Sequence, residues 1–231
     1  MRSVNVQIPS ARRVLDLGCG TGWVVAEADI SGHPFCVGVD YSVDVLQEAK
    51  RHQSIAFAAA DGLMLPFPAD CFDIVVGHVS MPYMNTEKAF AEIYRVMTPG
   101  GSFFLTFHSF RHIWERIPMS ARRGHWKDVI FSMYAGINGV LNHFSLPQMQ
   151  AWWNKKIFET VNTARGVHNA ACKAGFSLVS TEHSVQRIFF AATARKPNPE
   201  TGEVLPEPGW SIYCRLRAEA RARAMTTTAG A

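Results

Sequence analysis

The stretch VLDLGCGTG, residues 14–22, joins a short apolar run directly to a glycine-rich turn. This junction is typical of the first strand of a parallel α/β sheet, where glycines let the backbone approach a bound ligand. A dinucleotide-binding turn has the pattern G-x-G-x-x-G. Here the glycines follow G-x-G-x-G, and Trp23 occupies the position of the third glycine. Asp16 precedes the turn and would repel a phosphate, so the turn favours a cationic ligand.

The rest of the first half continues the α/β pattern. Short apolar, β-branched runs alternate with amphipathic runs from residue 12 to residue 107, which predicts a parallel sheet covered by helices. Asn85 or Thr86 caps a helix that the TPGG stretch, residues 98–101, ends. The predicted strands are Arg13–Leu17, Phe35–Val39, Ser54–Ala59, Phe72–Val79 and Ser102–Phe107.

An aromatic-rich segment, residues 109–158, interrupts the alternation, and we call it the insertion. Its predicted helical pieces include one that begins at Ser145, with Gln148 at the capping-box spacing. After the insertion the pattern predicts a helix near Glu159–Lys173 and two strands, Phe176–His183 and Arg187–Ala194. The short connection between these strands implies an antiparallel pair, because a parallel crossover needs about a dozen residues or more.

Composition limits the classes of function. The formal net charge is +4, but four arginines and one glutamate follow Trp210, so the rest of the chain is no basic nucleic-acid platform. The 5 scattered cysteines contain no CxxC pair and predict neither a disulfide framework nor a metal site. No stretch approaches the roughly 18 continuous apolar residues of a membrane span. We therefore expect a cytoplasmic protein.

Two further acidic residues end predicted strands. Asp40, after the second strand, stands where a carboxylate can accept hydrogen bonds from ribose hydroxyls. Asp61, after the third, can bind an exocyclic amine of a base. A ligand with a ribose, an adenine and a positive charge but no phosphate satisfies both residues together with Asp16. S-adenosylmethionine is that ligand.

Four motifs in order carry a family resemblance: VLDLGCGTG, VGVDYS, DGLMLPFPADCFDIVV and AFAEIYRVMTPGG. Residues 12–107 resemble the class I S-adenosylmethionine-dependent methyltransferases of the ubiquinone-biosynthesis type, the methyltransferase type 11 group. The resemblance implies a Rossmann-like, doubly wound α/β sheet of seven strands, mostly parallel with an antiparallel last strand. It also implies S-adenosyl-L-methionine as the cofactor.

The resemblance further implies roles at the site. Asp16 and the turn glycines would surround the methionine part of the cofactor, Tyr41 would pack on the adenine, and Asp61 with Gly62 would bind the adenine edge. His78, at the end of the fourth strand, would lie near the methyl group. The implied cofactor-binding residues are Asp16, Gly18, Cys19, Gly20, Thr21, Gly22, Asp40, Tyr41, Asp61, Gly62 and His78.

Methyl transfer from a sulfonium is an in-line displacement in which positioning alone can supply about 7–11 kcal/mol. A base helps when the acceptor is a hydroxyl, a phenol or a protonated amine. His108 is the predicted base because it follows the fifth strand at the ligand-binding edge of the sheet, and His78 is a second candidate. Many relatives carry histidine after the fourth strand, whereas this chain has MPYM, in which Tyr83 could line the acceptor pocket.

The insertion leaves from the ligand-binding edge, so its tryptophans are candidates for an apolar cap over the acceptor. Aromatic walls favour a flat aromatic or otherwise apolar small molecule. The same rings could instead form the insertion's own core or a dimer contact, and a homodimer is a candidate assembly. We predict a methyltransferase domain over residues 1–195, followed at 196–231 by a proline-rich linker and a loosely held basic tail.

Three alternatives remain open at this point. The arginine-rich tail would suit a tRNA or protein methyltransferase, although no asparagine-proline-proline-tyrosine type tetrapeptide follows the fourth strand. MPYM, residues 81–84, would suit a protein that binds S-adenosylmethionine without catalysis. Trp23 argues against the third alternative, a nicotinamide-dependent oxidoreductase. The favoured hypothesis is a small-molecule methyltransferase acting on oxygen, nitrogen or carbon, with no metal and no nucleic-acid partner.

Overall fold

The computed structural model describes residues 13–22, 35–52, 55–154, 158–183 and 189–200. Within these ranges seven strands form one sheet in the order β3-β2-β1-β4-β5-β7-β6. The first five pair in parallel, whereas β7 is antiparallel to both of its neighbours. The strands are β1 Val14–Leu17, β2 Cys36–Asp40, β3 Ala56–Ala59, β4 Phe72–His78, β5 Met97–His108, β6 Ser177–His183 and β7 Phe189–Arg195. The predicted fold class is confirmed.

Helices of the described ranges cover this sheet or extend from it. They are α1 Val43–His52, α2 Thr86–Val96, α3 Phe110–Arg122, α4 Trp126–His143 and α5 Ala164–Ala174, and a 3₁₀ turn spans Met81–Tyr83. Asn85 caps α2, because its side chain accepts a hydrogen bond from the Lys88 backbone N–H. Gly175 ends α5 in the left-handed conformation that favours glycine. The predictions for Trp23, for the basic tail and for most of the linker lie outside the described residues.

The main core fixes α2 and α5 on the sheet. Phe176 packs edge-on against Phe103 of β5, with ring centroids 4.9 Å apart, and Phe90 of α2 lies 5.4 Å from Phe103. All three side chains are buried. Strand β1 is buried along its whole length, as expected for a central strand covered on both faces. The strand ends that carry the predicted site therefore sit on a rigid platform.

Several predicted boundaries move, and two of them move by five residues. The fifth strand begins at Met97 and includes TPGG, because the Gly100 N–H donates to the Lys196 carbonyl and the Lys196 N–H donates to the Gly101 carbonyl. The helix predicted from Glu159 begins at Ala164. The four residues before its Thr163 cap are buried and lie in no helix or strand. They connect the insertion to the body of the protein.

The helix predicted at Ser145 is wrong. Ser145 has a φ of 56°, and residues 146–150 form neither helix nor strand. The Gln148 side chain, expected to reach back to Ser145, instead accepts a hydrogen bond of 2.8 Å from the Thr86 N–H at the first turn of α2. A partner distant in sequence has replaced the local capping box.

The insertion consists of α3, α4 and the segment up to residue 158, and it has a small core of its own. Ile113 of α3, Ala135 of α4 and Val161 form one buried cluster. Gly139 lets α4 approach the 159–162 segment, since a Cβ at this position would overlap the Val161 carbonyl oxygen and press on the Phe110 ring. The two helices and this segment therefore pack as one unit.

Asn138 of α4 ties that unit together. This side chain is fully buried, and its Nδ2 donates to the carbonyls of Met149 and Glu159, both at 3.0 Å. Its Oδ1 accepts from the Met149 N–H at 2.7 Å. One amide side chain thus satisfies three backbone groups of two loops, as buried polar groups require.

Asn162 connects the insertion to α2. Its Oδ1 accepts from Asn142 of α4 at 2.9 Å and from the Thr86 hydroxyl of α2 at 3.1 Å. All three residues are buried. The insertion is therefore held against the body of the protein by a buried polar network.

Among the described residues, no helix combines the length and apolar character that crossing a bilayer requires.

Candidate active site

A cavity of about 940 Å³ opens at the carboxyl ends of the parallel strands. Residues that end or follow β1 to β4 form one side of it, including Leu17, Asp40, Asp61 and His78. Further lining residues come from the insertion and the residue that follows it: Phe131, Gln148, Gln150, Phe158 and Glu159. Its size is in the range of small-molecule sites. The cavity thus lies between the part of the chain with the family motifs and the insertion.

The glycine turn packs tightly beneath this cavity. Gly18, Gly20 and Gly22 all have positive φ, at 67°, 55° and 80°. A Cβ on Gly18 would overlap the side chain of Ser80, which also lines the cavity. Cys19 is buried, and burial raises the pKa of its thiol. Cys19 therefore packs as a small buried side chain within the turn.

Asp40 holds the turn in place. Its Oδ2 accepts a hydrogen bond of 3.0 Å from the Gly20 N–H, and its Oδ1 accepts one of 2.9 Å from the Ser42 N–H. A carboxylate oxygen has two acceptor sites, so each oxygen can accept a further bond. Asp40 lines the cavity and can serve a ribose while it fixes the turn.

Asp16 is fully buried in β1. Neither of its carboxylate oxygens has a hydrogen-bond partner among the described residues. Burial, and next the negative charge of Asp40, raise the pKa of Asp16 to about 7. Asp16 itself does not line the cavity, but the next two residues, Leu17 and Gly18, do. A buried carboxylate without donors is costly unless a positive charge compensates it.

The end of the cavity lined by Tyr41, Asp61 and Gly62 is open and polar. Tyr41 follows β2, lines the cavity and is 76% exposed, so its ring is available for stacking. The Asp61 Oδ1 accepts a hydrogen bond of 2.9 Å from the Leu63 N–H. A Cβ on Gly62 would come within 2.6 Å of the Met84 sulfur, so the lack of a side chain at Gly62 lets Met84 pack against it. This end suits a planar ring with an exocyclic amine.

His78 and Tyr83 both line the cavity. The Nδ1 of His78 lies 2.9 Å from the Thr106 hydroxyl of β5, which orients the imidazole ring. Partial burial of the Tyr83 ring and the negative charge of Glu159 raise the pKa of the Tyr83 phenol. Both residues can therefore contact a molecule bound in the cavity.

Comparisons with known proteins agree with this geometry. A family model described as a methyltransferase domain matches residues 15–105. A demethylmenaquinone methyltransferase of Corynebacterium kroppenstedtii is 39% identical over 90 residues, which are 38% of this chain and 38% of that protein. Residues 15–105 therefore carry a class I S-adenosylmethionine-dependent methyltransferase domain. A second relative, the malonyl-[acyl-carrier protein] O-methyltransferase of Erwinia pyrifoliae, is 32% identical over 120 residues, or 48% of this chain and 45% of that protein.

Solved structures show the same fold. An S-adenosylmethionine-dependent methyltransferase from Mesorhizobium loti has a TM-score of 0.57 at 20% identity, covering 81% of this chain and 93% of that chain. Phosphoethanolamine N-methyltransferase 2 from Haemonchus contortus, in complex with S-adenosylhomocysteine, has a TM-score of 0.59 at 16% identity, covering 84% of this chain and 51% of that chain. The chain spans less than half the length of the two curated relatives named above.

The residues of the methyltransferase domain fit S-adenosylmethionine. Asp16 supplies a buried negative charge that lacks a donor, and the cofactor carries a cationic ammonium and sulfonium. Asp40 and Asp61 add acceptors along one wall of the cavity, with Tyr41 beside them. Gly20, Thr21 and Gly22 lie in the turn but do not line the cavity. In the described ranges, no group of three or more histidine, cysteine, aspartate or glutamate residues is arranged to hold a metal ion.

His108, the predicted base, does not line the cavity of the methyltransferase domain. Its ring centroid lies 4.2 Å from that of His112. Burial, and then the positive charges of His112, His78 and Arg116, lower its pKa to about 4. A group with this pKa is a weak base at neutral pH. Of the two predicted histidines, the structure brings His78 to the cavity.

The wall contributed by the insertion is aromatic, but it differs from the prediction. Trp114, Trp126 and Trp152 are exposed by 79%, 64% and 85%, and none of them lines the cavity. Phe131 of α4 and Phe158 line it instead. The insertion's phenylalanines therefore face the cavity, while these three tryptophans lie on the outer surface.

The sequence analysis missed Glu159. This carboxylate lines the cavity although its residue is 8% exposed, and its Oε1 lies 3.7 Å from Nη1 of Arg116 on α3. Burial raises its pKa, and the Arg116 charge opposes that effect in part. A lone glutamate at the start of a predicted helix gave no signal of a site. Its placement depends on contacts between distant segments.

Proposed function

We propose that this protein transfers a methyl group from S-adenosylmethionine to a small organic molecule bound between the strand ends and the insertion. One observation carries the proposal. A single cavity is lined both by acidic and stackable residues, Asp40, Asp61 and Tyr41, and by insertion residues, Phe131 and Phe158. The first set suits the cofactor, and the second set suits an acceptor.

The bound cofactor would supply an electrophilic methyl group on a sulfonium. Asp16 would compensate the positive charge from beneath, since it is buried without a described donor. Asp40 would accept hydrogen bonds from the ribose, Tyr41 would stack on the adenine and Asp61 would bind the adenine amine. Because the Gly20 N–H already fixes Asp40, this carboxylate is positioned before the cofactor arrives.

The acceptor side supports an apolar or aromatic molecule. Phe131, Phe158 and Tyr83 contribute rings to the cavity, and aromatic walls favour flat or apolar ligands. Relatives carry names with different acceptors: demethylmenaquinone in one and malonyl-[acyl-carrier protein] in another. The acceptor of this chain is therefore inferred from the cavity rather than from those names.

We also propose that the functional unit extends over residues 1–195 and includes the insertion at about 109–158. The Asn162 network joins α4 to α2, and the Thr160 N–H donates to the Pro82 carbonyl at 2.8 Å. The Asn162 bonds attach α4 to α2, and the Thr160 bond attaches the segment after the insertion to the 3₁₀ turn beside the cavity. An insertion attached at this position would complete the acceptor site.

Calorimetric titration with S-adenosylmethionine and S-adenosylhomocysteine tests the cofactor half. We expect both to bind the wild type, and Tyr41→Ala to weaken both, because it removes a stacking ring without touching the turn. Asp40→Ala should weaken binding further, since it loses the ribose acceptor and releases the Gly20 N–H. Asp44→Ala is the control, because Asp44 is exposed on α1 and does not line the cavity. Failure of the wild type to bind either compound would refute the proposal.

A further inference from the structure

We propose that Glu159 is the catalytic base of this cavity and that the methyl acceptor presents a hydroxyl group to it. The inference rests on the proposed function and assigns the acceptor side of the same site. Glu159 lines the cavity, is 8% exposed and comes from the segment that joins the insertion to the body of the protein.

The backbone at Glu159 is fixed on both sides. Its carbonyl accepts a hydrogen bond of 3.0 Å from the Asn138 amide of α4. The next N–H, of Thr160, donates to the Pro82 carbonyl in the 3₁₀ turn at 2.8 Å. The turn also carries Tyr83, another cavity residue. These two hydrogen bonds fix the backbone that carries the Glu159 carboxylate beside the acceptor space, and a catalytic group requires such positioning.

The carboxylate has a counter-charge and still has room for a ligand. The 3.7 Å between its Oε1 and the Arg116 Nη1 gives charge compensation but exceeds the usual hydrogen-bond length of about 2.7–3.2 Å. Arg116 thus favours the ionised form of Glu159, against the effect of burial, without using its acceptor sites fully. A donor on a bound molecule can occupy them.

Burial agrees with a role as a base. It raises the pKa of Glu159, and a base is more effective when its pKa lies closer to neutral pH. The charged and titratable groups around it are Arg116 from α3, Tyr134 from α4 and Tyr83 from the 3₁₀ turn. Across the cavity the titratable groups are Asp40, Asp61, His78 and Lys88, with Tyr41 beside them.

The pair of Arg116 and Glu159 favours a neutral donor over a cation. The two charges compensate each other, so the subsite offers no excess negative charge to an ammonium group. The Arg116 guanidinium also lies 5.8 Å from the centroid of the Phe131 ring, next to the apolar wall. A hydroxyl on an aromatic or apolar frame satisfies both the carboxylate and the rings.

Proton transfer to Glu159 accompanies the methyl transfer. A Glu159 carboxylate oxygen accepts the proton of the acceptor hydroxyl, and the hydroxyl oxygen attacks the methyl carbon. The new oxygen–carbon bond forms as the sulfur–methyl bond breaks, and that electron pair stays on sulfur, leaving a neutral thioether. The proton on Glu159 returns to solvent after the products leave.

Two shape-matched probes test this inference. Methyl transfer from labelled S-adenosylmethionine is measured to 1-naphthol and to 1-naphthylmethylamine, an amine that is a cation at neutral pH, for the wild type, Glu159→Gln, Glu159→Asp and Glu182→Gln. The last is the control, because Glu182 is exposed on β6 and does not line the cavity. S-adenosylhomocysteine titration and thermal unfolding on the same samples report cofactor binding and folding.

We expect the wild type to methylate 1-naphthol in preference to the amine, with a kcat that rises with pH through the pKa of Glu159. Glu159→Gln should lower kcat by about 10²–10⁴-fold, the usual contribution of a general base, and lose that rising limb. Glu159→Asp should recover part of the rate and the limb. Glu182→Gln should resemble the wild type, and all four proteins should bind S-adenosylhomocysteine.

Several results would overturn the inference while the cofactor half still stands. They are methylation of the amine alone, methylation of neither probe, an unchanged pH profile in Glu159→Gln, or a change in KM without a change in kcat. Absence of S-adenosylhomocysteine binding by the folded wild type would instead overturn the proposed function and this inference with it.

Discussion

Replacing Asp16 with asparagine removes a buried negative charge and keeps the shape of the side chain. Asp16 is fully buried in β1, and neither oxygen has a partner among the described residues. Burial, followed by the charge of Asp40, raises its pKa from 3.8 to about 7. The substitution therefore changes how stability depends on pH.

The direction of this pH dependence follows from how the folded and unfolded states bind the Asp16 proton. Between about pH 4 and pH 7 the unfolded chain has lost the Asp16 proton while the folded protein keeps it, so stability falls as pH rises. Below about pH 4 both states are protonated, so the ionisation of Asp16 costs no stability. At about 1.36 kcal/mol per pH unit, the change in pKa amounts to about 4 kcal/mol of stability lost by pH 7.

Urea unfolding between pH 4 and pH 8, followed by tryptophan fluorescence, measures this loss. We expect the stability of Asp16→Asn relative to the wild type to rise by about 4 kcal/mol across that range. Saturating S-adenosylhomocysteine should narrow the gap, because its ammonium group stabilises an ionised Asp16. Asp44→Asn, at an exposed site on α1, should show no such trend. A difference between Asp16→Asn and the wild type that does not change with pH would refute the reasoning.

Three further predictions concern the insertion and the histidines. In α4, Gly139→Ala should destabilise the protein by about 1–3 kcal/mol, because its Cβ would overlap the Val161 carbonyl oxygen. Gly136→Ala, where the nearest atom lies 3.7 Å away, should instead stabilise it by up to about 1 kcal/mol in the same thermal unfolding assay. Asn138→Ala should cost about 1–3 kcal/mol in urea unfolding, because backbone groups of two loops lose their partner. His108→Gln should keep the wild-type pH–rate profile, and a lost limb would restore His108 as the base.

The sheet could be predicted because its signals are local. Each parallel strand is a short apolar run followed by a turn, and the few residues between the last two strands required them to be antiparallel. The start of the fifth strand could not be predicted in this way. Gly100 and Gly101 join it through hydrogen bonds to Lys196, a partner from the far end of the described chain.

The same distinction applies to the site. Asp40 and Asp61 both line the cavity, because parallel strands bring their carboxyl ends to one edge. Gln148 matched a local capping pattern, but a backbone N–H 62 residues away uses its side chain. Likewise, the aromatic content of the insertion indicated an apolar wall but could not show which rings face inward. Phe131 faces the cavity, while Trp126 on the same helix is exposed.

The two halves of the cavity should therefore respond differently to change. The cofactor half depends on Asp40 and the glycine turn, which are held by hydrogen bonds within the first strands. The proposed acceptor half depends on Asn138 of α4, which binds the Glu159 carbonyl, and on Asn162, which binds Thr86 of α2. A substitution in this second network moves acceptor contacts and leaves the turn intact. Asn138→Ala should accordingly raise the KM for the acceptor at unchanged S-adenosylhomocysteine affinity, and equal losses in both would show that the two halves are one structural unit.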